Sequence, residues 1–149
     1  MNVVLDSFPL ALLSDPKVSA EAIAITNWAS QCLTAGHRLY IAEIIDYELR
    51  RELLRAGKTR SVARLDALKT TLRYLPLDTP TMLLAADLWA QVRRTGQPTA
   101  APQRLDVDVI LAAQALSLGL SAPDLIVATT NVGHLSRFVP ADLWTNIAP

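Results

Sequence analysis

Hydrophobic positions along the chain follow two alternating patterns. Short, continuous apolar runs occur at 3–5 (VVL), within 38–42 (RLYIA) and at 125–128 (LIVA). Between them, apolar residues recur every three or four positions, as they do over 19–35. Continuous apolar runs are typical of strands covered on both faces, and the longer spacing is typical of amphipathic helices. The alternation predicts an α/β protein.

Turn and capping residues set the expected ends of these elements. Helices are predicted at 19–35, 43–56, 60–73, 78–96 and 105–119, with a helical turn at 131–137. Strands are predicted at 3–5, 38–42, 74–77, 124–130 and 143–147, and loops are predicted around 9–16 and at 97–104. Strands that alternate with helices form mostly parallel sheets covered on both faces. We therefore expect a three-layer αβα sandwich with about five strands. No linker divides the chain, so residues 1–149 are expected to form a single domain.

Composition narrows the class of protein only slightly. The chain has 149 residues, of which 51% are hydrophobic, and its net charge is zero, which argues mildly against a general nucleic-acid binder. However, eight of the 14 Lys and Arg residues lie between Arg50 and Arg73, against two acids. This local excess of positive charge fits either phosphate contacts or a solvated helical face.

The sequence also suggests a location for the protein. The single cysteine, Cys32, excludes an intrachain disulfide. No apolar run reaches the roughly 18 residues of a membrane span, so no membrane partner is expected. The apolar start is interrupted by Asp6 and reads as a strand rather than a signal peptide. A cytoplasmic location is the expectation.

Acidic side chains occur where the carboxyl ends of the predicted strands should meet. Asp6 closes the first strand, Glu48 lies in the helix after the second, and Asp106 and Asp108 precede the run VILAAQAL. Singly, each acid fits a cap or a solvated position. Together they fall on the edge of the sheet where α/β proteins bind ligands. Clustered carboxylates favour a hard cation, Mg²⁺ or Mn²⁺, which can activate a water and neutralise charge on a phosphodiester.

The two neighbouring aspartates have unequal expected roles. If both were helical, at 100° per residue, they would point about 200° apart. We therefore interpret Asp106 as a helix N-cap and Asp108 as a carboxylate on the packed face, together with Leu111. By the same argument Glu48 lies on the apolar face of its helix, and Asp46 faces solvent.

Four segments resemble the PIN-domain family, in particular bacterial VapC-type toxin ribonucleases. They are VVLDS (3–7), YEL (47–49), LDVDVILAAQAL (105–116) and VATTNVGHLSRF (127–138), in the family's order. The resemblance implies a PIN-like fold and Mg²⁺- or Mn²⁺-dependent cleavage of single-stranded RNA by water attack on phosphorus. It assigns catalysis and metal binding to Asp6, Glu48 and Asp108, and accessory roles to Ser7, Asp106, Thr129 and Asn131.

Two positions depart from the family pattern. Many relatives carry a fourth acid where this chain has Asn131, and a small polar residue where it has Phe8. Asn131 adds no charge, so Asp106 could take over the missing one. These departures and the zero net charge motivate an alternative function: a PIN-like domain that binds RNA or protein with weak or no nuclease activity.

The resemblance also implies partners. Many such toxins are homodimers inhibited by a small antitoxin, and apolar stripes in 19–35 and 43–73 fit either a dimer face or core packing equally well. Candidate RNA-contacting residues are Arg50, Arg51, Arg55 and Arg104. Trp28, Trp89 and Trp144 are expected to be core or interface anchors. A dinucleotide-binding fold is disfavoured, because no glycine follows the first strand.

Overall fold

The strands form one parallel sheet. In the computed structural model, which describes residues 1–96 and 102–149, they are β1 (Asn2–Leu5), β2 (Arg38–Ala42), β3 (Arg73–Leu75), β4 (Leu125–Ala128) and β5 (Ala141–Asp142). Their order is β3-β2-β1-β4-β5, and every neighbouring pair is parallel. The apolar run of β1 is fully buried because this strand lies in the middle of the sheet. The α/β class and the five-stranded sheet are confirmed.

Helices connect the strands. They are α1 (Ser7–Ser14), α2 (Ala20–Thr34), α3 (Glu43–Arg55), α4 (Thr59–Thr71), α5 (Thr79–Arg94), α6 (Pro102–Leu116) and α7 (Val132–Leu135). Helices α1–α4 contact one another, and α5 packs on α6. Because connections between parallel strands are right-handed, the strand order puts these two groups of helices on opposite faces of the sheet. Among the described helices, none combines the length and hydropathy needed to cross a membrane.

The loop predicted around 9–16 is partly wrong, because residues 7–14 form helix α1. Asp6 is the N-cap of this helix, and its side chain accepts the backbone N–H of Ser7. Pro9 lies in the first turn, where a backbone N–H has no helical acceptor and its absence costs little. The proline therefore marks the start of a helix rather than a loop.

Two further boundaries differ from the prediction. Helix α6 already begins at Pro102, so 102–104 are helical rather than loop, and the rest of that predicted loop, 97–101, lies outside the described residues. The strand predicted at 143–147 is wrong: β5 lies at 141–142, and Trp144–Asn146 form a short 3-10 helix. Trp144 packs on the buried Trp28, with ring centroids 5.7 Å apart, so this segment contributes to the core instead of extending the sheet.

Asp46 is buried, with only 4% of its surface exposed, so its predicted solvent-facing position is wrong. Its carboxylate accepts from Arg50 Nε at 2.9 Å and the Tyr74 hydroxyl at 2.9 Å, and lies 3.0 Å from Lys69 Nζ. Burial alone would raise the pKa of Asp46, but the hydrogen bonds from these three groups hold it below its usual value. Helical periodicity missed this ion cluster because α4 and β3 cover that side of α3.

Gln114 fixes helix α6 against the edge of the sheet. This residue is fully buried. Its side-chain oxygen accepts the backbone N–H of Ile44 at 3.1 Å, and its nitrogen donates to the carbonyl of Leu75 at 2.6 Å. These bonds tie α6 to the start of α3 and the end of β3, and so set the position of the acidic residues on α3 and α6.

Candidate active site

Asp6 is held at the carboxyl end of β1 by two elements. The backbone N–H of Ser7 donates to Asp6 Oδ1 at 2.7 Å, and the Thr129 hydroxyl donates to Asp6 Oδ2 at 2.6 Å. Leu5 and Ala128 are paired in the neighbouring strands β1 and β4, so the residues that follow them, Asp6 and Thr129, lie at the same edge of the sheet. Thr129 is fully buried and also accepts the N–H of Asn131 at 2.8 Å. Asp6 is therefore fixed in one orientation.

Glu48 reaches the same edge from helix α3. The Ser7 hydroxyl donates a hydrogen bond to Glu48 Oε1, and it also approaches Asp6 Oδ1 at 3.4 Å. Ile44 and Ile45, one turn earlier on α3, are buried and anchor the helix to the core. Ser7 thus connects two carboxylates that are 42 positions apart in the sequence.

Asp108 is the most deeply buried acid of the site. It lies on α6 and is only 6% exposed. Burial raises the pKa of Asp108 to about 6, the negative charges of Asp6 and Glu48 add to this shift, and Arg104 opposes it. His134 Nδ1 lies 3.8 Å from Asp108 Oδ2. A carboxylate in this environment is stabilised by added positive charge.

These residues line one small cleft of about 100 Å³. Its lining is formed by Asp6, Ser7, Phe8, Glu48, Arg104, Val107, Asp108, Thr130 and Asn131. Within residues 1–96 and 102–149, no three Asp, Glu, His or Cys side chains lie close enough together to surround one ion as they stand. The donor set still fits Mg²⁺ or Mn²⁺, because such ions bind oxygen and often take only one or two carboxylates directly, with waters bridging to the rest.

Asp106 lies away from this cleft. Its predicted N-cap role is wrong, because α6 begins four residues earlier and Asp106 is well inside the helix. Because both aspartates are helical, their side chains should point about 200° apart. In agreement with this angle, Asp106 is exposed to solvent and Asp108 is buried. The structure therefore separates the two aspartates that the sequence presents as a pair.

Of the four candidate RNA-contacting arginines, only Arg104 lines the cleft. Arg50 bridges the buried Asp46 and the exposed Asp66. The guanidinium of Arg51 lies over the ring of Tyr47, 5.2 Å from its centroid. Arg55 pairs with Glu52 at 2.9 Å. Each of these three arginines has a partner three or four positions earlier on α3, as helical spacing allows, whereas the contact from Arg50 to Asp66 reaches another helix.

Solved VapBC and FitAcB structures have a similar fold. The fold matches FitAcB from Neisseria gonorrhoeae, with a TM-score of 0.71 and 22% identity over 97% of this chain and 99% of that one. It also matches VapBC2 from Rickettsia felis bound to a promoter DNA fragment, with a TM-score of 0.71 and 14% identity over 97% and 99%. DNA-bound VapBC from Salmonella typhimurium matches with a TM-score of 0.69 and 20% identity, over 97% of this chain and 98% of that one. No family model and no curated protein matches the sequence. The chain has a VapC-like PIN-type fold, as the four sequence segments predicted.

Proposed function

We propose that the protein is a metal-dependent endoribonuclease that cleaves single-stranded RNA. The observation that carries this proposal is the cleft in which Asp6, Glu48 and Asp108 approach one another from three separate elements. Burial raises the pKa of Asp108 to about 6, and the negative charges of Asp6 and Glu48 add to this shift. A divalent ion would relieve this repulsion, so the cleft is electrostatically suited to bind one.

Asp6 and Asp108 are the direct ligands in this proposal, and Glu48 is a ligand that acts directly or through a water. When bound, Mg²⁺ or Mn²⁺ would supply positive charge to the phosphate oxygens and lower the pKa of a nearby water. Thr129 and Ser7 position the carboxylates through the hydrogen bonds described above. In the reaction, a bond forms between the water oxygen and phosphorus, and the bond from phosphorus to the leaving oxygen of the RNA breaks.

We further infer that the chain is the toxin of a type II toxin–antitoxin pair and acts as a homodimer in the cytoplasm. The similar structures are VapBC and FitAcB complexes, which supports a cognate antitoxin partner. Expression of the chain alone should arrest growth, and co-expression with its antitoxin should restore it. Light scattering on the purified protein should give twice the 16.2 kDa mass of one chain.

The nuclease proposal is tested with labelled single-stranded RNA in Mn²⁺, in Mg²⁺ and in EDTA. Cleavage should require the metal and should be lost in Asp6→Asn and Asp108→Asn. Asp106→Asn is the matched control, since it removes the same charge two residues away but outside the cleft. Metal-dependent cleavage that persists in both cleft variants would show that other residues, or a contaminant, carry the activity.

A second candidate is a PIN-like domain that binds RNA or protein with weak or no cleavage. Two observations favour it: the cleft has Asn131 in place of a fourth acid, and no complete three-ligand group exists in the part of the chain that the structure describes. Calorimetric titration with Mn²⁺ distinguishes the two candidates. If the wild type binds Mn²⁺ and Asp108→Asn abolishes this binding, the second function is contradicted. If the wild type binds no Mn²⁺, the nuclease function is contradicted.

A further inference from the structure

A second groove, larger than the acidic cleft, lies between the C-terminal ends of α1 and α3 and the N-terminus of α4. Its volume is about 600 Å³, and we call it the basic groove. The charged residues of its lining are Asp15, Lys17, Glu52, Arg55, Lys58 and Arg60. Arg55 is paired with Glu52, and one oxygen of Asp15 accepts the backbone N–H of Lys17. Lys17, Lys58 and Arg60 form no ion pair with a described carboxylate, so the groove carries net positive charge.

The N-terminus of helix α4 opens into this groove with free donors. Lys58, at the N-cap position, provides no side-chain cap. The first helical N–H, of Thr59, donates to the carbonyl of Gly57, whereas the N–H groups of Arg60 and Ser61 have no acceptor among the described residues. A helix end with free N–H groups attracts anions.

Ser61 supplies an independent sign of a ligand. Its surface is only 5% exposed, it lines the groove, and its hydroxyl forms no hydrogen bond within the described chain. Every fully buried side-chain oxygen or nitrogen in those residues has a partner, so the Ser61 hydroxyl must reach the groove. A phosphate oxygen in the groove could accept from this hydroxyl and from the free N–H groups.

A shallow path joins the basic groove to the acidic cleft. Its lining consists of Ser7, Phe8, Ala11, Glu48, Leu49 and Glu52. Ser7 and Glu48 also line the cleft, while Leu49 and Glu52 also line the basic groove. Phe8 is 42% exposed along this path and presents a ring on which a base could stack. A strand with both phosphates and aromatic bases fits these features better than an acidic peptide.

We propose that the basic groove binds the phosphate backbone of the RNA strand whose scissile phosphate lies in the acidic cleft. Lys58, Arg60 and the N-terminus of α4 hold one phosphate, and the strand continues past Phe8 to the carboxylates. The assignment of RNA as the ligand rests on the proposed nuclease function. RNA binding can nevertheless be measured separately from cleavage.

The test measures binding of a labelled single-stranded RNA by fluorescence anisotropy in EDTA, over a range of salt concentrations. The variants are Lys58→Gln with Arg60→Gln, and Ser61→Ala. Arg93→Gln with Arg94→Gln is the control, because it removes the same charge from the far end of α5. For single strands, each neutralised phosphate contributes about 0.7 to the slope of log affinity against log salt. Because Lys58 and Arg60 hold one phosphate between them, the groove double variant should lose about 0.7 in slope and roughly fivefold in affinity at 0.1 M salt.

Ser61→Ala should weaken binding by about threefold to tenfold, as expected for the net contribution of one ordinary hydrogen bond. Groove and control double variants that bind RNA equally would overturn the proposal. An oligoglutamate peptide that displaces the RNA at equal charge concentration would also overturn it, since the groove would then select acidic protein segments. If the groove variants lose RNA binding but the wild-type protein cleaves nothing in Mn²⁺, the groove assignment stands and the nuclease function fails.

Discussion

Replacing Asp108 by its neutral isostere should stabilise the protein when no divalent ion is present. The cleft raises the pKa of this carboxyl from 3.8 to about 6. Because an acid with a raised pKa binds its proton more tightly in the folded state, ionising it costs stability. This penalty is absent well below pH 3.8, grows as the pH rises from about 4 to about 6, and is complete above that range.

The size of the effect follows from the shift in pKa. About two pKa units at 1.36 kcal/mol each correspond to roughly 3 kcal/mol in the free energy of unfolding at pH 7.5. Asp108 is 6% exposed, so solvent screening reduces this value little. At pH 4 the expected gain is less than about 1 kcal/mol, because the carboxyl is then largely protonated in the folded protein.

The assay is urea unfolding of wild type, Asp108→Asn and Asp106→Asn at pH 7.5 and pH 4, in EDTA. Asp106 is exposed and lies outside the cleft, so its variant should change stability by no more than about 0.5 kcal/mol. Adding Mn²⁺ should stabilise the wild type, by about 2.7 kcal/mol at 100 times the dissociation constant, and should affect Asp108→Asn far less. If Asp108→Asn is no more stable than Asp106→Asn at pH 7.5, ionised Asp108 is not under electrostatic strain and the reasoning fails.

Three further substitutions probe the supports of the site. Thr129→Val removes the hydrogen bond to Asp6 and the acceptor of the Asn131 N–H. It should therefore lower the free energy of unfolding by about 1–3 kcal/mol and weaken Mn²⁺ binding in calorimetry. Unchanged Mn²⁺ affinity would show that Thr129 does not position the carboxylate. Asp46→Ala should lower the free energy of unfolding by about 3–5 kcal/mol at pH 7.5, measured in urea. This loss should become smaller as the pH falls through the lowered pKa of Asp46, and the folded variant should keep its Mn²⁺ affinity. A stability loss that does not depend on pH would contradict this prediction. Gln114→Ala should lower the free energy of unfolding by about 2–4 kcal/mol, because the backbone groups of Ile44 and Leu75 lose their partner and a cavity forms. A loss below about 1 kcal/mol would mean that water replaces the side-chain amide.

The three inner strands, β1, β2 and β4, could be located from sequence because their signal is local. A strand in the middle of a parallel sheet must be apolar on both sides, and Val3, Val4 and Leu5 therefore identify β1 without further information. The position of Asp6 after β1 and of Thr129 after β4 follows from the same runs. The prediction that both lie at one edge needs only the parallel arrangement.

Boundaries were less predictable where two local signals compete. Pro9 is typical of loops, yet it also fits the first turn of a helix, and the carboxylate of Asp6 decides for the helix by capping it. Asp106 is a good N-cap residue, yet α6 begins before it, so its side chain points to solvent. In each case neighbouring residues, rather than the residue itself, determine the outcome.

The sequence by itself determined the parallel α/β sheet and the three acids to consider, because apolar runs and their polar ends are local properties of the chain. Only the tertiary structure decided which charges act together. Burial and the charge of Asp6, 102 positions away, raise the pKa of Asp108, whereas Lys69 of α4 and Tyr74 of β3 join Arg50 in holding the pKa of the buried Asp46 below its usual value. Electrostatic interactions depend on distance and burial, and both are set by how α3, α4 and α6 pack rather than by spacing along the sequence.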